Sequence, residues 1–128
     1  MRETLIEYIL CQYGAEPEYL WARYPDYAVF RHGGNRKWFA LIAGVPREKL
    51  GLSGAERVDV LNVKLGDPLL TEVLLRQPGF YPGYHMHHEN WISILLDGTV
   101  PFEQVTELLD RGFAATAPRP KRSGKERK

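Results

Sequence analysis

The stretch YAVFRHGGNRKWFALIA, residues 27–43, decides how this chain folds. Tyr27 to Arg31 is a short run of β-favouring residues, Gly33-Gly34-Asn35 is turn chemistry, and Arg36 to Ala43 is a second, longer run. Two such runs joined by a glycine-containing turn predict an antiparallel hairpin. The rest of the chain must then supply further strands to extend the hairpin and helices to cover it.

Working outward, Leu5, Ile6, Ile9, Leu10 and Tyr13 recur at helical spacing, and Gly14 is placed to stop that helix. Cys11 falls within the pattern and is expected to pack inside. Beyond the hairpin, Arg57 to Leu65 alternates as a third strand, with Val58, Val60 and Asn62 on one face and Asp59, Leu61 and Val63 on the other. Asp67 caps a short helix, Pro68 suits its first turn, and Leu69, Leu70, Val73 and Leu74 form its apolar stripe. After a loop, Trp91 to Leu96 reads as the last strand, Asp97-Gly98 as the turn out of it, and Phe102, Val105, Leu108 and Leu109 as the final helix. The expected fold is α+β, a mainly antiparallel sheet packed on one face by helices, in the order α-β-β-β-α-β-α.

Composition bounds the function classes. The 128 residues, 44% apolar and 12% aromatic, fit one domain able to bury a core. No apolar run approaches the roughly 20 residues needed to span a bilayer, so no membrane role and a cytoplasmic location are expected. Cys11, the one cysteine, cannot form an internal disulfide. The formal charge of +1 hides an asymmetry. Residues 118–128 hold Arg119, Lys121, Arg122, Lys125, Arg127 and Lys128 against Glu126, a balance of +5, whereas residues 1–117 carry 11 basic and 15 acidic side chains, a balance of −4. The chain therefore divides into a domain over 1–117 and a basic tail over 118–128, of a composition that favours disorder and phosphate binding by counterion release.

Residues 77–91 concentrate the chemistry: two Pro-Gly turns flank Phe80 and Tyr81, and His85, His87, His88 and Glu89 then run into Trp91. His85 and His87 share a face if the segment is extended, and with His88 or Glu89 they form a candidate metal set, although the spacing matches no established zinc pattern. No nucleophile neighbours these histidines and no glycine-rich phosphate loop precedes a helix, so no enzyme activity, cofactor or metal is expected.

Lys37-Trp38-Phe39-Ala40-Leu41-Ile42, Asn62-Val63-Lys64-Leu65 with Asp67-Pro68, the turn at Pro78-Gly79, and Pro82-Gly83-Tyr84-His85-Met86 before Trp91-Ile92-Ser93-Ile94 together resemble the MmcQ/YjbR family, from the first helix to about residue 113. The resemblance implies a fold similar to CyaY and frataxin, and a DNA-binding protein of the "double wing" kind. The chain differs from the family's common lysine and histidine before the tryptophan in having His88, Glu89 and Asn90. The residues expected to meet DNA, mainly through phosphate, are Arg36, Lys37, Lys64, His85 and His87, with Trp91 bracing the loop and Lys121 and Arg122 acting from the tail. The alternative is a protein-interaction or small-ligand module without DNA affinity, built on the aromatic residues of 78–91 and on Tyr19, Trp21, Tyr24 and Tyr27. Oligomeric state is not readable from the sequence.

Overall fold

The computed structural model describes residues 1–84 and 90–118. Helix α1 is Arg2–Tyr13, and Gly14 ends it in the left-handed conformation, returning its N–H to the Leu10 carbonyl. Strands β1, Ala28–Arg31, and β2, Trp38–Pro46, form the hairpin; a 3₁₀ turn over Arg47–Leu50 leads towards β3, Arg57–Lys64. Helix α2, Pro68–Leu74, precedes β4, Phe80–Pro82, and β5, Trp91–Leu95; helix α3, Phe102–Thr116, closes the fold. The five strands lie in the order β1-β2-β3-β5-β4, every neighbouring pair antiparallel.

The sheet has two unlike faces because side chains alternate along each strand. Ala28, Phe30, Ile42, Leu61, Val63, Ile92 and Ile94 face a core shared with Leu5 and Ile9 of α1, Leu74 of α2, and Val105, Leu108 and Leu109 of α3. Each such aliphatic or phenyl side chain contributes about 1.5–3 kcal/mol when wholly buried. The hairpin register slips between Phe30 and Arg31, so Arg31 pairs with Trp38 rather than with Phe39. That extra residue lets Phe39 join Ala40 on the helical side, while Trp38 and Leu41 belong to the opposite cluster. The second face, with Val29, Leu41, Ala43, Val45, Val60 and Leu95, is covered by Trp21, Leu50 and Leu52 from connections rather than by an α-helix.

Polar contacts fasten the helices to this frame. The Tyr8 and Tyr13 hydroxyls both donate to the Asp110 carboxylate, tying α1 to α3, and Tyr13 stacks on Phe113 at 4.1 Å between ring centres. Burial, then the Asp110 carboxylate, push the Tyr13 phenol well above its usual range, so it remains a donor. At the other end of α1, Arg2 donates to both carboxylate oxygens of Asp59, at 3.1 and 2.8 Å, and to the Asp26 carbonyl at 2.7 Å.

Three expectations need correction. The element order gains a strand, β4, which is too short for alternation to reveal; it follows Gly79 at φ 91 and pairs Tyr81 with Ser93 on the sheet edge, where Pro82 is tolerated. The α2 stripe is Leu70, Thr71 and Leu74, whereas Leu69 and Val73 are 77% and 53% exposed, because a seven-residue helix turns only one narrow face inward. Cys11 is exposed, since the buried line of α1 runs through Leu5 and Ile9 and Cys11 lies off it. In the hairpin turn Arg36 takes positive φ, at 61°. Gly34 lies close to the chain end: a Cβ there would be 3.1 Å from Pro118 Cγ.

Candidate functional site

Antiparallel pairing brings the β1–β2 turn, the end of β3 and the start of β5 to one end of the sheet. Lys64 is the register partner of Trp91, and the Leu65 N–H donates to the Asn90 carbonyl at 3.0 Å, carrying the pairing one residue further. Beneath Lys64 on the same face is a polar pair set into apolar strands. Asn62 and Ser93 are opposite one another and wholly buried. The Ser93 hydroxyl donates to Asn62 Oδ1, and Asn62 Nδ2 donates to the Leu41 carbonyl at 3.3 Å. The Tyr84 N–H donates to Ser93 Oγ at 2.9 Å and to Asn62 Oδ1 at 3.3 Å. Tyr84 and Asn90, the residues that flank 85–89, are therefore both fixed to this end of the sheet.

The expected basic residues are gathered at the same end but differ in freedom. Lys37 is exposed and Lys64 half-buried, and among the described residues neither forms an ion pair. Arg36 is exposed and pairs with Glu18 at 3.6 Å. Trp91 is only 7% exposed, which leaves no ring face for a base and suits the bracing role. Trp38 is half-buried at the hairpin end, with the Arg31 guanidinium 6.0 Å from its ring centre.

The end of α3 docks on this region. Gly112 packs against the Lys64 backbone, where a Cβ would meet the Lys64 carbonyl oxygen at 3.4 Å. Thr116 takes three contacts: its hydroxyl donates to the Gly112 carbonyl at 2.8 Å, its oxygen meets His32 Nε2 at 2.7 Å, and its carbonyl accepts from Asn35 Nδ2 at 3.1 Å. His32 is buried against Phe39 and Phe113, and burial lowers its pKa, so the ring is held neutral. Pro118, lying against Gly34, leaves the chain at the hairpin end as it enters the basic tail.

Of the eight expected site residues, Arg36, Lys37, Lys64 and Trp91 are thus described, whereas His85, His87, Lys121 and Arg122 lie outside the described residues. The candidate metal set of His85, His87, His88 and Glu89 also lies outside them, and among the described residues no three His, Cys, Asp or Glu side chains gather to hold a metal. Sequence reasoning missed Asn62, Ser93 and His32 as structural anchors. The signal was a lone asparagine and a lone serine inside apolar strands, legible only once Asn62 and Ser93 are known to be partners. It also missed the Arg31–Glu18 pair, at 3.2 Å, which depends on an isolated bridge between Glu18 and Val29.

The model of the YjbR family matches residues 10–115. The uncharacterized protein YyaQ of Bacillus subtilis (strain 168) is 41% identical over 115 residues, 90% of this chain and 97% of that protein. A crystal structure of a Pseudomonas syringae protein has a TM-score of 0.88 at 41% identity, covering 91% of this chain and 99% of that one. A Deinococcus radiodurans protein of the domain family DUF419 has a TM-score of 0.62 at 26% identity, with 88% and 76% of the two chains covered. In addition, among the described residues no helix is long and apolar enough to cross a membrane.

Proposed function

The chain belongs to the YjbR family, and from that premise we propose that it is a non-enzymatic nucleic-acid-binding protein of low sequence specificity, acting through phosphate contacts. The observation that supports this reading is the gathering at one end of the sheet. Lys37 and Lys64, both without an ion-pair partner among the described residues, sit where the chain enters and leaves 85–89 and where Pro118 leads into the basic tail. Arg36 adds a further charge beside them. A body with 11 basic and 15 acidic side chains over residues 1–117 repels a polyanion on average, so binding must come from local clustering and from the +5 tail. In this reading His85 and His87 contact phosphate, Trp91 holds the loop in place, and Lys121 and Arg122 extend the contact. A cytoplasmic setting and a CyaY-like chain path accompany the reading.

Replacing Lys64 by alanine tests it. Fluorescence anisotropy with labelled duplexes of unrelated sequence is expected to weaken by a similar factor for each duplex, and the salt slope to fall by about 1. Unchanged affinity would remove Lys64 from the interface. A second reading, a protein-interaction surface, is favoured by a different observation. Tyr19, Leu20 and Tyr24 are 55%, 43% and 40% exposed on the connection before β1, next to the half-buried Trp21.

A further inference from the structure

A cleft of about 450 Å³ opens at the β1 edge, between the end of α1, the connection through Glu18 and the turn after β1. Its apolar side is Tyr13 and Phe113, with His32 beside Phe113 at 4.3 Å between ring centres. Its charged side is Glu16, Glu18, Arg31 and Arg36.

The two arginines share a single ion-pair partner, Glu18. Glu18 Oε1 is 3.2 Å from Arg31 Nε and Oε2 is 3.6 Å from the Arg36 guanidinium, so one carboxylate serves two cations. The Arg31 Nε–H is buried and makes no hydrogen bond; Glu18 is near enough for an ion pair but lies off the N–H axis. The reason is tethering. Glu18 exchanges both backbone hydrogen bonds with Val29 at 2.9 Å, which fixes its Cα beside β1 and leaves its carboxylate a diagonal reach to Arg31. Arg31 is held in turn by Trp38. Arg36 adopts φ 61, the one positive φ outside glycine among the described residues, a conformation that costs energy in an L-residue.

We propose that this cleft binds a small organic carboxylate with a planar apolar body, its carboxylate taken by Arg31 and Arg36 in place of Glu18 and its body laid against Tyr13 and Phe113. Glu18 is then the internal stand-in for the ligand. Guanidinium groups bind carboxylate best in a planar, two-point arrangement, which a free anion can reach and a backbone-tethered one does not. Aromatic walls with a few convergent polar groups favour a flat apolar ligand. The proposal shares Arg36 with the nucleic-acid reading, whereas Lys37, Lys64 and the tail take no part in it, so Lys64→Ala separates the two.

The test is ¹⁵N NMR of the full chain titrated with benzoate, and with benzamide as its uncharged counterpart. Saturable shifts of the Arg31 Nε–H and of the Ala15 and Gly33 amides are expected with benzoate alone. Glu18→Gln is expected to tighten benzoate binding by about fivefold, the scale of one partly exposed ion pair. Arg36→Gln is expected to weaken it, and Arg31→Gln to abolish saturation, with the same spectra reporting that each variant is folded. Equal shifts with benzamide, no saturable shift in either the native chain or Glu18→Gln, or benzoate binding no tighter in Glu18→Gln than in the native chain would each overturn the proposal.

Discussion

Ser93 and Asn62 show how much of the candidate site hangs on two small polar side chains. Both are wholly buried, and through them the Tyr84 N–H is fixed to the centre of the sheet. Ser93→Ala deprives Asn62 Oδ1 of one donor and Tyr84 of its shorter acceptor, and a buried polar group left unpaired costs about 1–3 kcal/mol. Urea unfolding should show a loss in that range, and a loss below about 0.5 kcal/mol would contradict the assigned role. His32 gives a pH signature. Burial lowers its pKa in the fold, with Thr116, Phe39, Phe113 and the nearby Lys37 as its surroundings, so the unfolded chain takes the proton first as pH falls. Its stabilising contribution is complete above the unfolded value of 6.5 and is lost as pH falls from there through the lowered folded value. Urea midpoints from pH 8 to pH 5 should decline in the native chain, while a His32→Asn variant should start lower and decline less. Equal declines would show that His32 is not the titrating group.

Among the elements, helices and long strands were legible in sequence and the short pieces were not. The α1 pattern ends at Gly14, whose left-handed conformation turns the chain out of the helix while its N–H still reaches Leu10. The α2 start was equally plain: Asp67 accepts from the Leu70 N–H at 3.1 Å with Pro68 next in line. Asp67→Ala should therefore lower stability by about 1 kcal/mol, measured by urea unfolding, with Asp67→Asn nearly neutral. An effect of Asp67→Asn as large as that of alanine would point to charge rather than capping. By contrast, β4 is three residues long and its pairing depends on Gly79 at φ 91, where a Cβ would lie 2.6 Å from Val100 Cγ2. No periodicity exists in three residues. The face of α2 was misjudged for the same reason, since two helical turns fit several apolar stripes and only packing chooses between Leu69 and Leu70. The hairpin was legible as a hairpin, yet its bulge, the left-handed Arg36 and the contacts of its turn with Thr116 and Pro118 at the far end of the chain were not.

The whole molecule joins an acidic domain to a basic tail, and the join lies beside Gly34, at the end of the sheet that holds Arg36, Lys37 and Lys64. That placement decides how the tail can act. Under the proposed function, a tail that starts beside Gly34 would act on the same ligand as Lys37 and Lys64. The most direct measurement is fluorescence anisotropy of labelled duplex and single-stranded DNA, titrated with the full chain and with a truncation ending at Ala117, across a salt series. The truncated form is expected still to bind, more weakly and with a shallower salt slope, and Lys64→Ala is expected to weaken both forms. Binding that vanishes with the tail, or that neither form shows, would contradict a nucleic-acid interface on the fold.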